Sequence, residues 1–238
     1  MNMSVLPKAG ELVPPALRAA RWSPGLRCAL HSEIFADGCE ASGAAVALAL
    51  ALDGLLTEDA RSVLWVQDAP SLRLTGRPYR PGLSARLRDR VIHVAAAKPE
   101  DALFALEEGL RCRELACVIG EIAGNPRVLD FTASRRLSLA AEKHGVPLFL
   151  VRLDAARDLS SARMRWQVRA APSLPPRWNA QAPGKPAWHA ELFRTRTHTP
   201  GEWILRDDGQ VLAAERLASA PGHGDLAAAA GGRSLAAS

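Results

Sequence analysis

Residues 31–52 read HSEIFADGCEASGAAVALALAL: a short apolar run, two glycines five positions apart, then a stretch that is apolar almost all round. Gly38 and Gly43 have the spacing of G-x-x-x-x-G-K-[ST], in which backbone N–H groups curl around phosphates at a helix N-terminus. The Lys and the hydroxyl residue of that motif fall on Ala44 and Ala45. In a nucleotide site the Lys reaches the terminal phosphates and the hydroxyl holds magnesium, so two alanines remove one charge-assisted contact and one metal ligand. At roughly 1.5–3 kcal/mol for the charge-assisted bond, losing the Lys alone weakens nucleotide binding by about one to two orders of magnitude. The loop Gly38, Cys39, Glu40, Ala41, Ser42, Gly43, Ala44, Ala45 is therefore either a degenerate phosphate loop or an ordinary glycine turn between strand and helix. Its surroundings decide which.

Outward from this loop, strands and helices alternate. Residues 32–35 read as a strand and 44–52 as a helix covered on both sides, since it offers no polar face. SVLWVQ at 62–67 has the length and composition of a buried strand. The following APSLRLTGRPYRPGL is rich in Pro, Gly and Arg and is expected to be largely irregular. Residues 90–95 form the next strand, and Pro99, Glu100 and Asp101 open a helix, with Pro pre-set for the first turn and acids at the positive dipole end. Leu103, Leu106 and Leu110 give that helix its apolar stripe. LACVIGEI at 115–122 is a further strand. A helix over 132–144 offers Leu137, Leu139, Ala140 and Ala141 for burial; it ends on Lys143, His144, Gly145 and Pro147, a clear stop. PLFLVR at 147–152 is a buried strand. The alternation implies βαβ units and a mainly parallel sheet.

After Arg152 the pattern changes. In RMRWQVRA, Met164, Trp166, Val168 and Ala170 alternate with Arg163, Arg165, Gln167 and Arg169, which describes a strand buried on one face and cationic on the other. WHAELFRTR and GEWILRD read as added antiparallel strands. Residues 1–27 are expected to be an extension with a short helix at PALRAARW, and 209–238 a disordered Gly/Ala/Ser-rich tail.

At 238 residues the chain suits one sizeable domain with tails. No apolar run reaches the roughly 18–20 residues needed to span a bilayer, and the first residues lack a signal-peptide core, so a cytoplasmic protein is expected. Cys28, Cys39, Cys112 and Cys117 form no C-x-x-C pair and have no histidine at ligand spacing, so reduced, partly buried thiols and no metal are expected. The net charge of +5 is unevenly placed. Between Arg152 and Arg206 ten basic residues stand against the four acids Asp154, Asp158, Glu191 and Glu202, with four of the six tryptophans, Trp166, Trp178, Trp188 and Trp203. Basic residues interleaved with rings suit an anionic polymer or a protein partner, and equally a solvated face over a tryptophan core.

The order of elements resembles a RecA-like, P-loop-type ATPase core. More closely, HSEIFADGCEASGAA, VLWVQD, DALFALEEGLRCRELACVIGEI, LDFTASRRLSLAAEKHGVPLFLVR, SSARMRWQVRAAPS and GEWILRDDG resemble the ImuA family, RecA-related accessory proteins of a bacterial damage-inducible mutagenesis cassette. The resemblance covers about residues 28–209, with a RecA-like domain over 28–208. It implies an α/β fold with a mainly parallel sheet flanked by helices and antiparallel strands at the C-terminal side. It also implies a role in SOS-induced, error-prone translesion synthesis beside an ImuB-type polymerase-like protein and an error-prone replicative-type DNA polymerase, with RecA a further partner and DNA met directly or through these partners. GCEASGAA stands where RecA proteins have GPESSGKT; the place of the magnesium-linked Asp falls on Gly120, beside Glu121, and that of the catalytic Glu on Ala69, beside Asp68. With these groups gone, no cofactor, metal or catalysis is expected.

A non-catalytic adaptor is the first reading. A weak DNA-stimulated ATPase that remodels RecA filaments is a second, and needs another phosphate contact in place of the lysine. A SulA-like inhibitor of cell division, acting on the bacterial tubulin homologue, is a third. Arg135, Arg136, Arg163, Arg165, Arg169 and Trp166 are the candidates for DNA or partner contact. Arg135 and Arg136 oppose the dipole at a helix start, which suggests an anionic partner, although exposed pairs of this kind are also common without function.

Overall fold

The computed structural model describes residues 30–55, 59–179, 181–196, 199–207 and 212–217. Strand β1 (His31–Ala36) is buried along its whole length, because it lies inside the sheet with parallel neighbours on both sides. Around it run β2 (Ser62–Asp68), β3 (Val91–Ala96), β4 (Leu115–Ala123), β5 (Leu148–Leu153) and β6 (Met164–Ala170), then β7 (Ala187–Thr195), β8 (Gly201–Asp207) and β9 (Leu212–Arg216). Their order across a single nine-stranded sheet is β3-β2-β4-β5-β1-β6-β7-β8-β9. Pairing is parallel from β3 to β6 and antiparallel from β6 to β9. The expected α/β class, with a mainly parallel sheet and antiparallel strands on the C-terminal side, is what the chain forms.

Helix α1 (Ser42–Gly54) packs on one face of the sheet; α3 (Pro99–Arg111) and α4 (Phe131–His144) pack on the other. From Ser42 to Asp53 no residue of α1 is fully exposed. Its flanks Ala44, Ala45, Leu48 and Leu52 pack into the same core as its buried stripe, and that core extends to Leu212 of β9. An all-apolar helix is stable here because the sheet lies under it and its outermost strand reaches it. α3 buries Ala102, Leu103, Leu106 and Leu110 as its spacing requires. α4 starts on Asp130, whose carboxylate accepts the Ala133 N–H at 2.7 Å, and stops on Gly145 in the left-handed region.

Three expectations need correction. The stretch after β2 is less irregular than expected: α2 (Ala69–Thr75) forms there, because Asp68 caps it through the Ser71 N–H at 2.8 Å and Pro70 fits its first turn. Leu139 is half exposed, since at about 100° per residue it lies well off the face set by Leu137 and Ala141. The sheet also continues past residue 208, where a boundary was expected, with β9 pairing along β8 from Trp203 to Asp207. The helix expected within 1–27 and the tail from 218 lie outside the described residues.

β1 leads into α1 on one face, whereas the segment leaving β5, 154–163, runs along the other, with Ser160 and Ser161 against Ser134 and Ser138 of α4. Adjacent strands whose exits part in this way leave a crevice at their carboxyl ends, the usual place for a ligand in an open α/β sheet.

Candidate functional site

The loop between β1 and α1 lies at that end of the sheet, and the protein's own carboxylates bond to it. Asp154, just past β5, adopts a left-handed φ of 49° and its Oδ1 accepts the Gly38 N–H at 2.8 Å. A Cβ at Gly38 would collide with Asp154 Oδ2, so glycine at this position admits a carboxylate. Asp37 Oδ1 accepts both the Cys39 N–H at 2.9 Å and the Cys39 Sγ–H at 2.8 Å. These bonds hold the Asp37 carboxyl below its ordinary range and push the Cys39 thiol up, away from nucleophilic reactivity. Glu40 Oε2 accepts Ser42 Oγ–H at 2.6 Å and the Ala170 N–H at 2.8 Å, and the same two bonds lower its pKa. Ser42, the one hydroxyl in the loop, is thus turned to Glu40.

Gly43 has a packing reason. A Cβ there would lie 2.7 Å from Val151 Cγ1 and 2.9 Å from the Ala36 Cβ, so its absence lets α1 sit down on β5 and β1. Ala41 is the N-cap residue and supplies no side-chain bond; Ala44 and Ala45 are half buried against the core. In this loop the Gly38 and Cys39 N–H groups and the Ser42 hydroxyl face carboxylates, while the Glu40 N–H goes to the Asp37 carbonyl at 3.2 Å.

The place expected for a metal-linked carboxylate is also structural. A Cβ at Gly120 would meet Leu106 Cδ2 at 2.9 Å and Leu150 Cδ1 at 3.1 Å, because α3 lies directly over this point of β4. Glu121 points to the opposite face, where Trp65 Nε1–H donates to Oε1 at 2.6 Å, Gln67 Nε2–H to the same oxygen at 3.2 Å and Thr75 Oγ1–H to Oε2 at 3.0 Å. Burial raises its pKa, and the three hydrogen bonds oppose that rise. Asp68 and Ala69 form the start of α2, and Asp68 Oδ1 is its cap. Among the described residues no three His, Cys, Asp or Glu side chains converge as a metal-holding group.

The cationic candidates separate sharply. Arg165 is 3% exposed, and its Nε–H donates to Glu33 Oε2 at 2.7 Å inside the protein. Trp166 is fully buried and meets Trp203 edge to face at 5.8 Å. Neither can present itself to DNA or a partner in this fold. The alternation of β6 holds from Met164 to Val168, whereas Ala170, expected on the buried face, is exposed at the strand end; the cationic face is covered at Arg165 by Phe35 and Phe193. Arg163 pairs with Glu142 and Arg136 with Glu107 at 2.6 Å, both near the surface. Arg135 and Arg169 are exposed.

Around Arg165 lies a buried polar group that sequence reasoning missed. Glu33 also accepts Ser160 Oγ–H at 2.8 Å and has Arg152 at 3.9 Å; Arg152 donates to the Gly124 carbonyl at 3.1 Å and to Asn125 Oδ1 at 3.0 Å. His31 Nδ1 meets Ser138 Oγ at 2.7 Å, and burial lowers the His31 pKa to about 4. No local signal pairs these residues, since Glu33 and Arg165 stand 132 positions apart. Cys39 and Cys112 are exposed rather than partly buried, and Cys117 is buried; Cys28 lies outside the described residues. No helix among the described residues is long and apolar enough to cross a membrane.

No protein-family model matches the chain. Two curated proteins of Caulobacter vibrioides, one from strain NA1000 / CB15N and one from strain ATCC 19089 / CIP 103742 / CB 15, are each 34% identical to it over 194 residues. The match covers 76% of this chain and 75% of each relative, and both relatives bear the name Protein ImuA.

Proposed function

Because this chain belongs to the ImuA family, we propose that it serves damage-inducible, error-prone DNA synthesis as a RecA-like adaptor without nucleotide chemistry. It joins an ImuB-type polymerase-like protein to an error-prone replicative-type polymerase. The observation that carries this reading is the filled loop: Asp154 takes the Gly38 N–H, Asp37 the Cys39 N–H, and Glu40 the Ser42 hydroxyl.

A triphosphate entering the loop would bring its charge against these carboxylates. Like charges brought this close repel, and at an exposed loop solvent and salt screen that repulsion without removing it. The lysine whose bond would offset roughly 1.5–3 kcal/mol of this is replaced by Ala44. A RecA-like origin is supported by the place of the glycine loop, at the exit of a strand flanked by β5 and β6 and at the start of a helix.

Calorimetric titration of the purified protein with ATP and magnesium, with and without single-stranded DNA, tests the reading; no saturable binding is expected below about 1 mM. DNA-stimulated hydrolysis would replace it with the remodelling ATPase. Co-purification with the ImuB-type protein tests the adaptor half, and failure of the two to associate at micromolar concentration would remove it.

A further inference from the structure

The stretch from the end of α2 to β3 carries exposed positive charge. From Arg73 to Arg90 the sequence has six arginines and one acid, Asp89. Leu83 and Leu87 fasten the segment to the core on the α1 face, beside β2 and β3. Arg73, Arg77, Arg80 and Arg88 are exposed, and none of them belongs to an ion pair among the described residues. Arg80 donates to the Val91 carbonyl at 3.0 Å and Arg88 to the Pro81 carbonyl at 3.3 Å. Carbonyl partners orient a guanidinium without cancelling its charge. In the 154–163 segment and the C-terminal strands, by contrast, Arg157, Arg163, Arg165 and Arg206 each meet a glutamate.

Among these arginines stands Tyr79, 73% exposed. Its ring lies over Gly82: a Cβ at Gly82 would be 3.1 Å from Tyr79 Cδ1 and 3.7 Å from Cε1. Pro78 and Pro81 flank it, and the short 3₁₀ turn Arg80–Gly82 returns the Gly82 N–H to the Tyr79 carbonyl at 3.0 Å. The ring is thus held on one side by backbone and open on the other.

We propose that residues 73–90 are the surface on which this protein holds single-stranded nucleic acid, the arginines meeting its phosphates and Tyr79 stacking on a base. Single strands present both groups together, whereas a duplex hides its base faces and an acidic peptide has none to stack. The inference deepens the adaptor reading by naming its DNA-facing surface, and rests on that reading only for DNA as a partner.

The test is fluorescence anisotropy of a labelled oligothymidylate against the full chain over a salt series. Replacing Arg73, Arg77 and Arg88 by Ser is expected to reduce the log–log salt slope by about 2, at roughly 0.7 per phosphate. Tyr79→Leu, which keeps an apolar group over Gly82, is expected to weaken binding roughly ten-fold, and Tyr79→Phe to leave it intact. Circular dichroism checks that each variant is folded. No binding at low salt, a slope unmoved by the triple replacement, or loss caused instead by Arg177→Ser and Trp178→Ser would overturn the proposal. So would equal binding of a polyglutamate peptide with no effect of Tyr79→Leu, which would point to an acidic protein partner. None of these outcomes changes the ATP or co-purification results.

Discussion

Replacing Arg165 by Met removes one partner of a buried ion pair while keeping most of the side chain's apolar bulk. Arg165 is 3% exposed and Glu33 1%, with 2.7 Å between Nε and Oε2. Breaking such a pair typically costs about 3–5 kcal/mol, because the remaining charge has lost both water and partner. Glu33 keeps Ser160 at 2.8 Å and Arg152 at 3.9 Å, so Arg165→Met belongs at the lower end, near 3 kcal/mol. Glu33→Ala strands the buried Arg165 guanidinium and takes the nearest carboxylate from Arg152, which keeps its bonds to Gly124 and Asn125, and belongs higher in that range. The double replacement should cost less than the sum of the two, since no unpaired partner is left for Arg165. Urea unfolding followed by tryptophan fluorescence measures this; with m of about 2–3 kcal/mol/M, Arg165→Met lowers the midpoint by about 1 M or more. A shift below about 0.3 M, with binding of DNA or a partner lost instead, would refute the structural role given to Arg165.

Three further outcomes follow from other parts of the molecule. His31, with its pKa lowered to about 4 by burial, is neutral when folded, while the unfolded chain binds a proton below about 6.5; stability therefore falls as pH drops from 6.5 to 4, by roughly 3 kcal/mol, and urea midpoints of a His31→Gln variant should lack that loss. Gly120→Ala places a methyl within 3.1 Å of Leu106 and Leu150 and should destabilise by about 1–3 kcal/mol in thermal unfolding, with Leu106→Ala relieving part of the overpacking. Ala44→Lys with Ala45→Thr should gain little ATP binding by itself, and measurably more once Asp154→Gly removes the carboxylate from Gly38, which calorimetry would show.

Much of the fold was legible because its signals are local. The alternation in 163–170 gave β6, Pro99 with two acids gave the start of α3, and Lys143-His144-Gly145 gave the end of α4. The helix α2 escaped because Pro, Gly and Arg dominate its surroundings, although Asp68 with Ser71 three positions on is a capping signal that was there to be seen. β9 escaped because Ala-Ala-Glu-Arg carries almost no strand propensity; it forms by pairing with β8. The loop glycines left a degenerate phosphate loop and an ordinary glycine turn both open, and the partner that explains Gly38 is Asp154, 116 positions away. Charge misled for the same reason: a tally along the chain counts arginines, and the fold decides which of them a glutamate neutralises. Arg157, Arg163, Arg165 and Arg206 each meet a glutamate, whereas Arg73, Arg77, Arg80 and Arg88 belong to no ion pair among the described residues.

The place of β1 also sets a schedule for synthesis. Its two neighbours, β5 and β6, lie more than a hundred residues further along the chain, and β2, made next, is not beside it. At roughly 5–20 residues per second, β1 leaves the ribosome several seconds to some tens of seconds before either neighbour exists. For that interval HSEIFA is an unpaired strand joined to an almost wholly apolar helix, and β2 to β4 can associate without it. A ribosome that stalls before residue 164 leaves β1 paired on one side only, with an open edge that invites another nascent chain.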